Sequence, residues 1–482
     1  MISSLGPASE VPGWVVNQDS AARKMCVAGL ILSLVLSITF LVSGITTRTY
    51  EDPWTISVPV NTKYLIPLAV NGIITLSTEC LGFIHNTSLK WALLADGSLE
   101  YNANLRLFTF AKRSWPNGRI FNLTYLLALS VCYAATPAII QEEPVDDRVF
   151  FVTSGAAFIY LGLALLAMTS ISFWSLPYSD DFPTWSSNPL NFAAAVTALD
   201  PGFRNEGRCM HPVHEDHQHM APLAPKEKQK SAYDAHRQVA IILWAEYAVF
   251  AALIIWTSLV FFFSKTQTSA GSWSFIPKDC RIFVDGFCYA PHVVLGFLSH
   301  SIARFEDAYI WMQVPFSIFI QSIITIGLHC AELLVTVSRD EMQAWRAVAT
   351  AKGSNTSRTS AIFAFFGWET LALTLMKPFV HWIYGMAVFM GDKGLLMLCP
   401  QLVYLAAAWA VFLVFVTYIS FRKPKGPLPA TYGHLQTLAD LVDEWYETMF
   451  WGHKGESEDG ICHAGTSDKP LPQVRMDALY KG

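Results

Sequence analysis

Apolar residues fall into eight blocks of about twenty, separated by polar segments. A helix of about twenty residues crosses a hydrocarbon layer roughly 30 Å thick, because each residue adds about 1.5 Å. The pattern therefore predicts an all-α transmembrane bundle of about eight helices in the lipid bilayer. The predicted helices cover 26–46, 64–84, 120–140, 149–173, 239–263, 314–337, 369–390 and 395–421.

The pattern does not decide how the seventh block crosses the membrane. It belongs to an apolar stretch over 361–390 that contains Lys377, Pro378 and His381, so a full span and a broken or re-entrant helix both fit. Only 391–394 separates it from the last block, which predicts a tight helical hairpin.

Basic residues indicate the orientation of the spans. Lys and Arg concentrate in the second, fourth and sixth connections and next to both ends of the bundle, whereas the third connection is acidic. The positive-inside rule then predicts cytoplasmic N- and C-termini. The connection that contains Lys265, Lys278, Arg281 and Arg304 is an exception, because it is predicted to lie outside. The type of membrane stays open.

Two of the 9 cysteines lie in that outer connection. Cys280 and Cys288 flank Asp285-Gly286, a dipeptide that favours hairpin turns. We predict a disulfide between them if the loop faces an oxidising compartment.

Composition agrees with a membrane protein. The chain has 482 residues, of which 52% are hydrophobic and 15% charged, against about 25% charged in soluble domains. The net charge of −5 gives no electrostatic support for nucleic-acid binding.

The two halves of the chain contain matching residues in the same order. Ile73-Ile74-Thr75 precedes Cys80 in the second block, and Ile323-Ile324-Thr325 precedes Cys330 in the sixth. Outside the apolar blocks, Cys209-Met210-His211 parallels Cys462-His463. The order predicts a tandem duplication, 1–235 and 236–482, with four spans in each half.

Four spans return the chain to its starting side, so such repeats would be parallel and related by an axis along the membrane normal. Substrate sites in transporters of this design lie between the repeats. A duplicated scaffold without a pathway is the alternative.

The closing block, 436–472, includes Trp451-Gly452-His453-Lys454 and Lys469-Pro470-Leu471-Pro472. It resembles a group of uncharacterised multi-span membrane proteins of filamentous fungi. Asn104-Leu105-Arg106-Leu107-Phe108 and Pro183-Thr184-Trp185-Ser186 are similar to blocks of the same group. The resemblance implies a fungal source and a multi-pass fold, but no catalytic residue and no substrate.

Ionisable residues inside spans are costly and usually line an interior or a water-filled path. The candidates are Glu79, Glu246, His329, Glu332, Lys377 and His381. Glu79 and His329 match in the repeat, and Glu332 shares a helix face with His329. We predict that Glu79, His329, Glu332, Lys377 and His381 form a pathway for a cation, a proton or a proton-coupled solute. Alternatively, the two carboxylates reach interfacial water and Lys377 snorkels.

A histidine-rich loop follows the fourth span. Imidazole and thiolate at this spacing predict a cytoplasmic site for zinc or copper, although the neighbouring prolines favour a mobile, solvated loop instead. The candidate ligands are Cys209, His211, His214, His217 and His219.

The cytoplasmic tail begins with apolar residues spaced by three and four over 434–451, which predicts a short amphipathic helix with 189–200 as its counterpart. We expect this helix to pack on the protein's own cytoplasmic surface or on a partner. The polar residues 453–482 are predicted to be poorly ordered.

Three functions fit these patterns. A transporter or channel for a small polar solute or ion is favoured by the repeat and the buried charges. A membrane-embedded sensor or scaffold that binds cytoplasmic protein partners is favoured by the long segments 174–238 and 422–482. A membrane enzyme is disfavoured, because a di-iron oxygenase needs several facing histidine clusters and only one is present.

Overall fold

A computed structural model describes most of the chain. The described residues are 13–16, 19–49, 55–56, 60–145, 148–176, 182–215, 220–264, 272–277, 280–281, 287–288, 290–295, 306–356, 367–391 and 394–481.

Within these ranges the protein is mostly helical. The longer helices are α1 (Asp19–Thr49), α2 (Val60–Ala95), α3 (Arg119–Ala135), α4 (Gly155–Ser175), α5 (Pro189–Leu199), α6 (Arg237–Phe263), α7 (Glu306–Arg339), α8 (Trp368–Ala387), α9 (Cys399–Phe421) and α10 (Leu435–Leu441). Short helical segments are Gly13–Val16, Thr136–Ala138, Pro201–Phe203 and Ala232–Ala235, and α7 continues through Asp340–Trp345 and Arg346–Ala349.

Seven of the described helices are long and apolar enough to cross a membrane: α1, α2, α3, α4, α6, α7 and α9. These helices are compatible with the multi-pass membrane protein that the apolar blocks predict. Helix α8 is absent from this set because Lys377, Pro378 and His381 make it more polar. It is nevertheless one continuous helix with Pro378 inside it, and it packs against α2, α7 and α9.

The first four long helices pack together, with α4 against α1, α2 and α3. In the same way α9 packs against α6, α7 and α8. The two groups meet where α3 contacts α7 and where α8 contacts α2. Glycines bring α1 and α4 close, since a Cβ at Gly162 would lie 2.9 Å from the backbone nitrogen of Leu41.

Two of the three antiparallel three-stranded sheets in the described part of the chain lie between the long helices, so a few strands accompany the predicted helical bundle. β1 (Thr55–Ile56) and β2 (Ile140–Val145) both pair with β3 (Arg148–Thr153). β6 (His292–Leu295) and β8 (Val388–Gly391) both pair with β9 (Gly394–Leu398).

These strands correct two sequence predictions. The predicted helix 149–173 begins only at Gly155, because Val149-Phe150-Phe151-Val152-Thr153 is a run of the β-branched and aromatic residues that favour strands. The connection at 391–394 joins two strands and not two helices, so the predicted helical hairpin is wrong.

A further strand pair lies in the connection between α6 and α7. β4 (Cys280–Arg281) is antiparallel to β5 (Phe287–Cys288), and the backbone of Cys280 lies directly opposite that of Cys288. The predicted turn at Asp285-Gly286 lies outside the described residues. The disulfide stays a prediction that this backbone register favours.

At the end of the bundle away from these sheets, the remaining segments form a packed layer. α5 packs against α10, and β10 (Thr448–Glu456) pairs with both β7 (Ser354–Asn355) and β11 (Cys462–Ser467). The predicted helix over 434–451 is therefore wrong beyond Leu441.

The order in this layer comes from side-chain packing. Met449 and Trp451, two positions apart on β10, are both buried, which is the periodicity of a strand. Tyr480 is fully buried near the end of the chain. The prediction that 453–482 is poorly ordered is therefore wrong for the described residues.

Candidate functional site

An ion-pair cluster lies where α2, α7 and α8 meet. The Lys377 ammonium of α8 donates to the Glu79 carboxylate of α2 and to Oε1 of Glu332 of α7, the latter at 2.6 Å. His329, one turn before Glu332 on α7, donates from Nδ1 to the same oxygen at 2.5 Å. The structure thus brings together four of the five residues predicted as a pathway.

A second cation completes the cluster. Arg106, from the segment between α2 and α3, places NH2 3.6 Å from Oε2 of Glu332. Two carboxylates therefore face two cations. We missed Arg106 in the sequence because we assigned it to a basic cytoplasmic connection. The flanking Leu105 and Leu107 were the available signal that this arginine is buried.

Burial differs sharply within the cluster. The side chains of Lys377 and His329 are each 1% exposed, whereas those of Glu79 and Glu332 are 25% and 28% exposed. The two acidic side chains are therefore partly exposed while the ammonium is enclosed. Ionised groups in a membrane helix border an interior or a water-filled path far more readily than lipid.

His381, the fifth predicted residue, lies beside the cluster. Its ring stacks on Tyr133 with centroids 3.8 Å apart, and the ring of Tyr133 is 6.0 Å from that of His329. The Tyr133 hydroxyl shares hydrogen bonds with Thr75 at 3.1 Å and Thr78 at 3.3 Å. Polar side chains of α2, α3, α7 and α8 thus form one continuous network.

The cluster contains the donor atoms of a cation site. Glu79, His329 and Glu332 each offer a ligand atom within 4.8 Å of the others. Because Nδ1 of His329 donates to Glu332, its buried Nε2 is left as an acceptor, and it has no partner among the described residues. Imidazole with carboxylates suits divalent metals such as zinc or manganese.

The histidine-rich loop is only partly described. Cys209 and His211 are buried, and Nε2 of His211 is 3.2 Å from the Ala221 carbonyl. Among the described residues, Cys209, His211 and His214 do not form a metal-ligand group. His217 and His219 lie outside the described residues, so the zinc or copper site stays a prediction.

Cys209 contacts a different histidine, from the far end of the chain. Nε2 of His463 is 3.1 Å from Oδ2 of Asp443, and His463 also bonds to Cys209. The Asp443 hydrogen bond, followed by the Cys209 bond, raises the pKa of His463 to about 9. This cluster joins the segment after α4 to the tail.

No known protein family, curated protein or solved structure matches this chain. The resemblance to fungal multi-span proteins therefore stays a prediction, and the chemistry of the site carries the functional argument.

Proposed function

We propose that this protein is a membrane transporter for a small polar solute or ion, most simply a cation, and that the Lys377 cluster is its binding site. The observation that carries this is the Lys377 ammonium, enclosed in an apolar bundle between carboxylates of α2 and α7. A helix-packing role would not need two carboxylates and two cations gathered at one place in the bundle.

The cluster suits reversible cation binding. Lys377 is a cation tethered to the site, and a mobile cation that approaches Glu79 and Glu332 competes for the same oxygens. Protonation of either carboxylate would also release Lys377. The site can therefore exchange its internal cation for an external cation or for a proton.

The proposal includes two parallel four-helix repeats. The sheets β1–β3–β2 and β6–β9–β8 have the same construction: a strand after the first helix of a half pairs with the hairpin that joins the third helix to the fourth. Trp91 donates its indole N–H to the Thr184 carbonyl at 3.0 Å, and Trp345 donates to that of Pro429 at 2.7 Å. These paired features support a duplication.

On this assignment the cluster spans the seam between the repeats, since Glu79 belongs to the first repeat, and Glu332 and Lys377 belong to the second. Transporters with parallel repeats bind substrate at such seams. We also propose that the layer built from α5, α10 and β10–β11 lies in the cytoplasm with both termini, as the basic connections predict.

Uptake into proteoliposomes tests the function. Purified protein should take up a cation or polar solute in a saturable way, with or without a pH gradient, and Glu79→Gln, Glu332→Gln and Lys377→Met should each abolish uptake. Lys454→Met is the matched control, because it breaks the 2.7 Å ion pair with Asp443 in the layer. A wild-type protein that moves none of the cations or solutes offered would contradict the proposal.

A sensor or scaffold is the second candidate. The layer supports it, because α5, α10 and the strands β7, β10 and β11 form packed structure outside the long helices. In that case a protein partner would bind the layer, and the three cluster substitutions would leave partner binding unchanged.

A further inference from the structure

Glu246 is a buried carboxyl group that the Lys377 cluster does not use. It lies within α6 and is 1% exposed, enclosed by α7 and α9. A Cβ at Gly327 of α7 would lie 3.2 Å from its Oε2, so the missing side chain at Gly327 provides room for the carboxyl group. Trp409 of α9 donates to the Glu246 backbone carbonyl at 3.4 Å.

No cation faces this carboxyl group among the described residues. Its Oε2 has no hydrogen-bond partner there, and the titratable group nearest to it on α7 is Cys330. Arg237, the cation at the start of α6, is exposed about two and a half turns before Glu246. Several other titratable groups on α6 and on the elements packed against it bond elsewhere: Tyr247 to Thr417, Asp234 to Ser231, His236 to Gln238, His292 to Ala290, Tyr233 to Trp244 and Tyr404 to Trp273. Tyr418 of α9 is largely exposed.

The contrast with the other buried acids is chemical. Glu332 faces Lys377 and Arg106, and Glu369 faces Arg422 at 3.4 Å. A carboxylate without such a partner in apolar surroundings costs several kcal/mol, so it takes up a proton or a small cation instead.

We propose that Glu246 is a proton-binding site, held as the neutral acid against Gly327 and Trp409, and that it couples proton binding to the Lys377 cluster. Helix α7 provides the connection. With about 100° between successive residues, Gly327 and Cys330 face Glu246, while His329 and Glu332 lie on the opposite face. Loss of the proton leaves a charge that α7 and α9 do not stabilise, so the packing of α6 on α7 must open to water.

The proton site itself does not depend on the transport proposal, but the coupling rests on it. Helix α1, the counterpart of α6 in the proposed repeat, has no acidic residue between Lys24 and Thr47. Helix α1 therefore has no equivalent of Glu246 in this segment, and we expect a single coupled proton for the α1–α6 pair.

Labelling of the full-length protein with dicyclohexylcarbodiimide, which reacts with protonated carboxyl groups in apolar sites, tests the proposal. Peptide mass mapping should locate the adduct at Glu246, and labelling should fall as pH rises and vanish in Glu246→Gln. Glu79 and Glu332 should stay unlabelled, since their carboxylates are ion-paired. Labelling at these two residues without labelling at Glu246 would overturn the proposal.

An infrared difference spectrum between acid and alkaline pH is the second measurement. Wild-type protein should lose a carboxylic-acid carbonyl band that Glu246→Gln lacks, and an identical band in both proteins would overturn the assignment.

Uptake separates the two proposals. If Glu246 is labelled but nothing is transported, only the transport function and the coupling fail. If Glu246→Gln transports with wild-type pH dependence, the coupling fails and the transport function stands.

Discussion

Nε2 of Gln321 lies 2.5 Å from Nδ1 of His381, inside the bundle between α7 and α8. Because the amide nitrogen donates, Nδ1 of His381 accepts and the proton of the neutral ring is on Nε2. That Nε2 has no partner among the described residues. One hydrogen bond thus fixes the tautomer and the orientation of a histidine that stacks on Tyr133 beside the cluster.

Removal of Gln321 should affect His381 alone. We expect Gln321→Met to lower the free energy of unfolding by about 1–3 kcal/mol, because it leaves Nδ1 of His381 buried without a donor. In Gln321→Met/His381→Phe the loss should be smaller than the sum of the two single losses. Thermal unfolding in detergent measures all four proteins, and additive losses would contradict the contact.

Loss of the Lys377 charge should harm stability more than loss of the whole cluster. Lys377→Met leaves Glu79 and Glu332 facing each other, and we expect a loss of about 3 kcal/mol, the lower end for a broken buried pair, because both carboxylates are partly exposed. Glu79→Gln/Arg106→Met/Glu332→Gln/Lys377→Met, which also removes the cation that faces Glu332, should regain most of this stability.

The fourfold variant also separates folding from function. It should unfold near the wild-type temperature and yet transport nothing, because no charge is left to bind the substrate. Wild-type uptake by this variant would show that the cluster only holds the helices together.

The two indole hydrogen bonds should contribute equally if the halves are duplicates. We expect Trp91→Phe and Trp345→Phe each to lower the free energy of unfolding by about 1–2 kcal/mol, since a buried carbonyl loses its donor and some volume is lost. Chemical unfolding of the two variants side by side is the measurement. A clear difference between them would weaken the proposed repeat in this layer.

The layer should lose stability as pH rises. The pKa of His463 is raised in the folded protein to about 9, above its ordinary value of 6.5, because it bonds to Asp443 and Cys209. Its stabilising effect is therefore complete below about pH 6.5 and is lost as pH rises through about 9. Protease protection of the tail should fall over this window.

His463→Gln is the matched variant, because it keeps a hydrogen-bond donor but does not titrate. Its tail should be less protected at low pH and should show no comparable change between pH 6.5 and 9. A wild-type pH profile in this variant would assign the effect to another group.

The Cys280–Cys288 disulfide would also report orientation. If the strand pair faces an oxidising compartment, alkylation of intact cells followed by mass mapping should find both cysteines joined, and Cys280→Ser should leave Cys288 open to a membrane-impermeant maleimide. Reagent access to Cys288 only after the cells are permeabilised would reverse the predicted topology.

The sequence predicted the helical part of the fold well and the connections poorly. Twenty-residue apolar blocks have one solution in a bilayer, so the long helices follow directly. Short apolar runs do not distinguish a strand from a helix end. At 149–153 and 388–398, pairing with a distant strand decided the outcome, and a local pattern does not contain that information.

The candidate site was predictable as far as the matching residues of the two halves reached. The match between Glu79 and His329 indicated that α2 and α7 meet, and the structure brings these residues together with Lys377. Arg106 was missed because a connecting segment that returns into the bundle has no periodic signature. The tail was misread for a related reason, since Met449 and Trp451 are buried by β11 and by the segments around them, not by a helix face.

The sheets β1–β3–β2 and β6–β9–β8 restrict how the molecule can move. β3 pairs with both β1 and β2, so the segment after α1 is tied to the hairpin between α3 and α4. In the second group β9 pairs with both β6 and β8, which ties the segment after α6 to the hairpin between α8 and α9. Single helices in either group are therefore unable to swing independently at that end. Any large motion must therefore tilt one group of four helices against the other. The hinge of this tilt lies where α2 contacts α8 and where α3 contacts α7.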